Sequence, residues 1–394
     1  MSAAASDPVH RDVSVAGLTH RGPVGRWLPA VAAPLIFLTC AIPLIVTQHD
    51  RSRGRFDQIN YHQPAVLRFA ESLPFPDLSD SLTATTPGYH LVLAVVARSV
   101  SDGAVVLQAA GAMITAALLA LLAWTASRTT GPVMATLLTF TLASSLYVFS
   151  AGVFLLPDNA AWLGVLAVLL LSLGRGGTRM YVAAGAVFTA LVMTRQSHAW
   201  AAAPIWAAAL VGTSSRPDAM NPRAVLGRVP TRIVPIALAI VATLPGFVLL
   251  AAFARLWGGL APPFFQGVVQ GANPAVPAII LTQFAIIGVF HVGFWGPGVI
   301  GFIRSGPRPA LLLFLAAGVA GLAASVLPET TYSVEAGRWS GVWNVVDHVP
   351  QLFGRTSPVV VLGSVGGAWV LVAWLVSITA RDRWIWLAAI AGFI

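Results

Sequence analysis

The side chains best suited to proton transfer lie in the segment "GRFDQINYHQP", early in the chain. Asp57 stands there beside Gln58, Tyr61 and His62, a compact polar group in a chain with only 9% charged residues. These polar neighbours make Asp57 a candidate for a functional carboxylate. The alternative is that Asp57 is a solvated loop residue, as most loop carboxylates are.

A short amphipathic helix is predicted directly after this group. Pro64 suits the first turn of a helix, and the apolar residues that follow share one face at helical spacing. The residues on this face are Val66, Phe69, Ala70 and Leu73. We expect the helix to lie on the membrane and to hold Asp57 at the boundary of water and lipid. Asp77 and Asp80, further along, are expected to be ordinary turn residues.

Two further polar groups lie at the ends of apolar segments. Asp158, in "LLPDNAAW", is a functional candidate because a carboxylate close to lipid is costly unless it is paired or hydrated. It could equally cap the helix that starts at Asn159 or Ala160. In "TRQSH", Arg195 and His198 could bind a phosphate at the level of lipid headgroups, or Arg195 could simply extend toward water.

A long loop near the C-terminal end of the chain mixes charged and aromatic side chains. The candidates in it are Glu335, Arg338, Trp339 and Trp343. Trp at a membrane interface is usually an anchoring residue. Trp also stacks on the faces of sugars, and composition does not choose between the two roles.

Other familiar catalytic and metal-binding motifs are missing from the sequence. There is one cysteine, Cys40, and there is no Gly-rich phosphate loop, no H-E-x-x-H and no G-x-S-x-G. A metal ion bound by Asp57, His62 and Asp158 is not supported by any known ligand spacing. The residues therefore give no positive indication of a metal site.

The amino-acid composition indicates that these residues are held by a membrane-embedded protein. A hydrophobic fraction of 57% over 394 residues is typical of a protein that lives in lipid. The basic residues are arginines dispersed between apolar runs, without the basic stripe of a nucleic-acid-binding protein. We expect membrane lipid, and no nucleic acid, as a partner.

Hydropathy predicts an all-α polytopic membrane protein with about eleven transmembrane helices, since each span needs about 20 mostly apolar residues. The predicted spans are residues 27–47, 104–126, 132–153, 159–174, 181–194, 199–213, 233–254, 276–302, 309–327, 358–380 and 384 onward. The first is interpreted as a retained signal anchor, because no cleavage site follows it. The run 89–100 is too short to span and is predicted to be a second interfacial helix in the first outer loop.

The distribution of charge sets the expected orientation. With 89–100 at the interface, most arginines lie in cytoplasmic segments and most acidic residues face outward, as the positive-inside rule requires. The expected parts are a cytoplasmic N-terminal tail (1–26), one transmembrane domain (27–394), a first outer loop (48–103) and a last outer loop (328–357). The final apolar run, from Trp384, still continues at Ile394, so whether the C-terminus is complete stays open.

Two motifs in the first outer loop resemble those of a known enzyme superfamily. "FDQINYHQP" and "TATTPGYH" are similar to motifs of the GT-C glycosyltransferases, and most similar to those of the ER alpha-1,2-glucosyltransferases of lipid-linked oligosaccharide synthesis. That family has Asp-Glu-Ile followed by His and Pro, and then Thr-Thr-Pro-Pro-Gly. "RQSH" and Asp158 match more weakly. Gln58 stands where the family has Glu, His62 and Pro64 come one residue later, and Pro87 is a single proline.

The resemblance implies a GT-C-like fold and an inverting hexosyltransferase. Enzymes of this superfamily that use such donors generally need no tightly bound metal, so the resemblance also implies no metal and no cofactor. The enzyme would move a hexose, with glucose favoured, from a polyprenyl-phosphate donor to a hydroxyl of a glycan or glycolipid acceptor. The site would lie on the outer face of a bacterial cytoplasmic membrane. Asp57 would be the base, and the residues implied to hold the donor phosphate are Arg195, His198 and Arg338. The residues implied to hold the sugar or the acceptor are Gln58, Tyr61, His62, Asp158, Glu335, Trp339 and Trp343.

Two other functions stay open. A multi-pass transporter or a lipid or glycolipid flippase would carry charges within its spans, or helices broken by Gly and Pro. The residues that keep this alternative open are Pro34, Pro43, Gly293, Gly296 and Pro297. A third function, that of a non-catalytic membrane subunit, is also compatible with the sequence.

Overall fold

The computed structural model describes most of the chain after its N-terminal tail. The described residues are 24–49, 52–175, 177–213, 223, 225, 227, 229–266, 274–328, 349, 351–352 and 356–393. Within them the protein is all-helical, as predicted, and its one β feature is an isolated bridge between Leu352 and Thr356.

Sixteen helices are defined among the described residues. The first ten are α1 (Val24–Thr47), α2 (Arg53–Asp57), α3 (Gln63–Ser72), α4 (Gly88–Ser99), α5 (Ala104–Ser127), α6 (Pro132–Ala143), α7 (Leu146–Val153), α8 (Asp158–Leu173), α9 (Thr178–Thr194) and α10 (Ala202–Val211). The others are α11 (Val229–Trp257), α12 (Val276–Val289), α13 (Val292–Ser305), α14 (Pro307–Val326), α15 (Pro358–Ser377) and α16 (Ala380–Phe393). A π-helical turn, Gln58–His62, joins α2 to α3, and 3-10 turns form at Gln196–Ala201 and Pro263–Phe265.

The long apolar helices make this a multi-pass membrane protein. Five of them are long and apolar enough to cross a bilayer, namely Trp27–Thr47 of α1, α5, α11, α14 and α15. Two bent pairs, α6 with α7 (74°) and α12 with α13 (97°), raise the number to seven in the described part of the chain if each pair is one span. Helices α8 and α9 are apolar but shorter, with 16 and 17 residues. The prediction of about eleven spans therefore stays a prediction.

Contacts divide the chain into two compact units. The first comprises Met1–Leu166, Ala190–Gln196 and Phe253–Phe264, and the second comprises Ala167–Thr189, Ser197–Ala252 and Phe265–Ile394. The sequence pattern gave no sign of this division.

In the first unit, α1 packs along α5, and α6 and α7 pack against both helices. The apolar core between them consists of Phe37, Ala41, Ile45, Ala112, Leu119, Ala143, Val153 and Phe154. A second core lies among α3, α4 and α5 and consists of Val66, Phe69, Tyr89, Leu93, Ala94, Ala97, Leu107 and Leu155. Both cores belong to the part of the chain that carries the first outer loop.

This second core corrects the prediction for α3. The helix and its apolar face form as expected, with Pro64 in the first turn. Val66 and Phe69 are nevertheless buried in the protein, where they pack with residues of α4 and α5 instead of resting on lipid. The apolar stripe of a helix is buried equally well by a protein neighbour or by a bilayer, so the sequence pattern could not separate the two. On α4, Val92 and Val95 stay exposed.

In the second unit, α15 is the central helix and packs against α12, α13 and α14, while α10 packs against α16. Small residues allow these close approaches. A Cβ at Gly367 would stand only 1.7 Å from the carbonyl oxygen of Leu281, so the backbones of α15 and α12 are in direct contact. Close approach at glycine is the usual way in which helices pack inside a membrane.

Arg381 donates hydrogen bonds to the C-terminal ends of two helices in the second unit. Its buried guanidinium donates hydrogen bonds to the carbonyl oxygens of Gly212 (2.6 Å), Gly174 (2.7 Å), Leu173 (2.8 Å) and Ser172 (3.1 Å). These carbonyls belong to the C-terminal ends of α8 and α10, where the helix itself supplies no donor. The arginine therefore satisfies groups that would otherwise be buried without partners.

Candidate functional site

A network of amides and one arginine fixes the start of the first outer loop. Gln48, which has a positive φ of 56°, follows α1 and donates to the side chain of Gln108. Gln108 in turn donates to the carbonyl oxygen of Val153 (3.0 Å), and Arg55 donates to Oε1 of Gln48 (2.6 Å). The position of α2 is thus tied to α1, α5 and α7.

Asp57 is the last residue of α2, and the π-helical turn follows it directly. The sequence predicts that Asp57 lies just before the amphipathic helix begins, but the backbone is helical from Arg53 to Ser72. Single π turns are rare and are found frequently at functional sites. This one turns Gln58 inward, where it is almost fully buried and its Nε2 lies 3.4 Å from Oε1 of Gln63.

The π turn ends at His62, whose ring pairs with that of His90 on α4. Nδ1 of His62 and Nε2 of His90 are 2.9 Å apart, and the ring planes differ by 2°. His90 is fully buried, and the ring of Tyr89 meets it edge-on at 5.5 Å. The two predicted interfacial elements of the loop are therefore joined by a hydrogen bond between histidines.

Asp158 and Arg195 form an ion pair. Asp158 is the first residue of α8, and the start of that helix is anchored by buried Asn159, which donates to Thr115 Oγ1 (2.9 Å) and to the carbonyl oxygen of Val148 (2.7 Å). Arg195 follows α9. The side chains of the pair are 40% and 35% exposed respectively, so a ligand can reach both.

Gln196 ties the "TTPG" turn to the end of α9 beside Arg195. Its Oε1 accepts from the backbone N–H of Thr86 (2.9 Å), and its Nε2 donates to the carbonyl oxygens of Ala84 (2.8 Å) and Leu260 (2.9 Å). The hydroxyl of Thr86 also donates to the carbonyl oxygen of Val192 (2.6 Å). These bonds fix the start of α4, and hence His90, relative to Arg195.

The ion pair acts electrostatically on the residues around it. Burial lowers the pKa of His62 to about 4, Asp158 acts to raise it, and Arg195 acts to lower it. Burial also raises the pKa of Tyr89 far above its ordinary value, and the charge of Asp158 adds to this effect. The pKa of His90 is lowered by burial and then by His62. His62, Tyr89 and His90 are therefore all uncharged at neutral pH, next to an ionised pair.

Several buried polar atoms of this loop lack a hydrogen-bond partner within the described residues. They are Oε1 of Gln58, Oδ1 of Asp80, Oγ1 of Thr85, the hydroxyl of Tyr89 and Nδ1 of His90. Such atoms are costly unless water or a ligand meets them. Asp77 is the turn residue that we expected, accepting from Ser79 N (2.9 Å), whereas Asp80 carries one of these buried oxygens and departs from that expectation.

The structure brings some of the predicted site residues together. Asp158 and Arg195 are paired, and the charges of both act on His62. These three residues are hereafter called the ion-pair site, and buried His90 contacts His62 while buried Tyr89 feels the charge of Asp158. Asp57 is partly exposed at the end of α2, and the charges that act on His62 are those of Asp158 and Arg195. Tyr61 packs edge-on against Phe56 at 6.2 Å.

The remaining predicted residues are His198 and those of the last outer loop. His198 belongs to the second unit, where its ring meets that of Trp200 edge-on at 6.0 Å. Glu335, Arg338, Trp339 and Trp343 lie outside the described residues. A set of three side chains placed to hold a metal ion is not found in the described part of the chain.

His90 was missed in the sequence, although a signal for it exists. It lies three, four and seven residues before Leu93, Ala94 and Ala97, which form the buried face of α4. A histidine in the apolar stripe of a helix needs a polar partner inside the protein. That partner is His62, 28 residues earlier, and no local pattern could identify it.

Comparisons of the chain with protein-family models, with curated proteins and with solved structures gave no match.

Proposed function

We propose that this protein is a membrane glycosyltransferase that moves a hexose from a polyprenyl-phosphate donor to a hydroxyl acceptor, with inversion. The observation that carries the proposal is the ion pair of Arg195 and Asp158 beside uncharged His62. It combines a cation for a phosphate, a carboxylate and a neutral imidazole in one partly exposed site. The motifs of the first outer loop that resemble those of GT-C enzymes form part of this site.

The ion-pair site suits the departure of a phosphate. Guanidinium donors stabilise the charge that develops on the leaving group, and Asp158 holds the guanidinium of Arg195 in place. Asp57, the base that the resemblance to GT-C enzymes implies, would take the acceptor proton. Gln58 and Tyr61, beside it, would contact the sugar or the acceptor.

The proposal includes the finer expectations from the sequence. The chain would have about eleven spans in a GT-C-like arrangement, with the N-terminus in the cytoplasm and the site on the outer face. Glucose is the favoured hexose. His198, Arg338, Glu335, Trp339 and Trp343 would complete the binding of donor and acceptor, as the resemblance implies.

The role of Asp57 is tested by Asp57→Asn, which keeps the size of the side chain and removes the base. We expect this variant to bind the donor normally and to lose transfer by at least about a hundredfold, the usual contribution of general-base catalysis. Asp77→Asn is the matched control, because Asp77 is an exposed turn residue of the same loop. Near-normal transfer by Asp57→Asn would remove Asp57 from the mechanism.

One observation favours the second candidate, a transporter or flippase. The helix pairs α6 with α7 and α12 with α13 are bent by 74° and 97°, and broken helices are common where transporters bind their substrates. This function requires movement of a substrate across the bilayer without any change in its covalent structure. Transport assays in vesicles therefore separate it from glycosyl transfer.

A further inference from the structure

The histidine pair contains a polar atom whose partner is missing. Nδ1 of His62 and Nε2 of His90 share one hydrogen bond of 2.9 Å. The other nitrogen of His90, Nδ1, is buried and has no partner within the described residues. Because both rings are uncharged, each carries a single N–H, and only one of the two facing nitrogens can be the donor.

Two arrangements of the protons satisfy this hydrogen bond. If His62 donates from Nδ1, the proton of His90 must lie on its own Nδ1, as a buried N–H without an acceptor. If His90 donates from Nε2, its Nδ1 is a lone pair, and the proton of His62 lies on Nε2. Buried N–H groups without acceptors are rarer in proteins than buried acceptors without donors. The second arrangement is therefore favoured.

We propose that His90 is a positioning residue that holds His62 in its Nε2–H tautomer, so that His62 and Arg195 together donate hydrogen bonds to a phosphate oxygen. The identification of the phosphate with the polyprenyl-phosphate donor rests on the function proposed above. The tautomer itself does not depend on that function.

An uncharged donor is useful beside this ion pair. Asp158 offsets the charge of Arg195, so a phosphate bound there would depend more on N–H donors than on the net charge of the site. An imidazole N–H adds such a donor without adding another buried charge. Among the described residues, Asp158 and Arg195 are the charged groups found to act on His62, and His90 contacts it from α4.

The tautomer can be read directly by nitrogen-15 NMR of the histidine-labelled protein in nanodiscs. The signals are assigned by comparison with His62→Gln. We expect both rings to carry the proton on Nε2 at neutral pH. His90→Phe removes the donor and should leave His62 as a mixture of tautomers, whereas His90→Gln should keep Nε2–H because its amide still donates.

His49→Phe is the matched control for this experiment, since His49 is an exposed histidine in the same unit. It should leave the signals of His62 unchanged. A proton on Nδ1 of His62 in the wild-type protein would overturn the proposal even if every variant failed to fold. A His62 tautomer that is unaffected by His90→Phe would overturn it as well.

The phosphate site is tested by calorimetry with two probes, inorganic phosphate and polyprenyl phosphate. We expect polyprenyl phosphate to bind, and both His62→Phe and Arg195→Met to weaken this binding at least about tenfold, the effect of losing one hydrogen bond to a charged group. If inorganic phosphate also binds and is weakened by the same two substitutions, the site accepts phosphate in general. If only polyprenyl phosphate binds, the site is specific for the lipid-linked form.

Affinity that does not change in His62→Phe, or the absence of binding for both probes, would overturn the phosphate site. The outcome for the proposed function is separate. If polyprenyl phosphate binds through His62 and Arg195 but no hexose is ever transferred, the transferase is rejected and the tautomer and its phosphate site stand.

Discussion

His62 is the side chain at which the interactions of the ion-pair site meet. Its ring bonds to His90, and the charges of Asp158 and Arg195 both act on it. Each neighbour comes from a different helix or helix end, so the protonation of one ring reports the arrangement of α3, α4, α8 and α9 around it.

We predict that stability falls with decreasing pH because of His62. Its pKa is about 4 in the folded protein and 6.5 in an unfolded chain. Between these values the unfolded state binds more protons, so stability is greatest above pH 6.5 and is lost as the pH falls toward 4. His90 acts in the same direction. Thermal unfolding in detergent, followed by tryptophan fluorescence from pH 8 to 4, measures the effect.

His62→Gln is the informative comparison for this prediction. It removes one titrating group and should flatten the decrease of Tm between about pH 6.5 and 4. His49→Gln, at an exposed position, should follow the wild-type curve. Equal curves for wild type and His62→Gln would show that His62 is not buried in its neutral form.

Sequence patterns identified Asp158 and Arg195 as candidates but could not pair them. They lie 37 residues apart, and their meeting depends on the return of α9 beside the start of α8. Asp158, expected either to bind a ligand or to cap a helix, is the first residue of α8 and is paired with Arg195. Residue chemistry could be predicted, but long-range partners could not.

At the scale of elements, the fit between α4 and the end of α9 decides where Arg195 lies. Gly88, the first residue of α4, contacts the backbone of Met193 so closely that a Cβ would stand 2.7 Å from its carbonyl oxygen. Arg195 follows two residues later. A change in this contact must therefore move the ion-pair site.

We predict that Gly88→Ala displaces Arg195 and so disturbs the ion-pair site. The added methyl group must push α4 away from Met193, at a cost of about 1–3 kcal/mol for overpacking. Tm and affinity for polyprenyl phosphate should both fall. Gly177→Ala is the control, since a Cβ there meets nothing within 4 Å. Normal affinity in Gly88→Ala would mean that the contact does not position Arg195.

Arg381 gives a second prediction at this scale. Arg381→Met leaves the carbonyl oxygens at the ends of α8 and α10 without their donor. Since each hydrogen bond to a charged group contributes about 1.5–3 kcal/mol, we expect a large decrease in Tm. Arg304→Met, at an exposed position at the end of α13, should leave Tm almost unchanged. A similar Tm for the two variants would show that Arg381 is dispensable.

The sequence predicted where apolar helices form better than it predicted where a span is broken into two helices. Hydropathy indicated single spans at 132–153 and 276–302, where the structure has two sharply bent pairs. The first bend falls at Ser144 and Ser145, and the second at Phe290 and His291. Adjacent serines can mark a kink, but hydropathy averaged over a window does not register it.

At the scale of the whole molecule, the arginines predict the orientation of the chain. The expected topology places the first outer loop outside and the segment around Arg216 in the cytoplasm. The single cysteine makes this testable, because Cys40→Ala gives a background without thiols.

We predict that Ser79→Cys in this background reacts with a membrane-impermeant maleimide added to intact cells, because Ser79 is exposed in the first loop. Arg216→Cys should react only after the membrane is opened. Labelling in the opposite order would invert the topology and would place the ion-pair site on the cytoplasmic side.

The central proposal is that the chain breaks a sugar–phosphate bond, and the fate of a doubly labelled donor tests it most directly. Proteoliposomes would receive a polyprenyl-phosphate hexose with one label on the hexose and another on the lipid, together with a membrane lipid extract as acceptor. If the protein transfers the hexose, the hexose label separates from the labelled lipid and appears on a new molecule. Asp57→Asn should prevent this separation. Both labels remaining on one molecule that crosses the bilayer would contradict the proposal and identify a flippase.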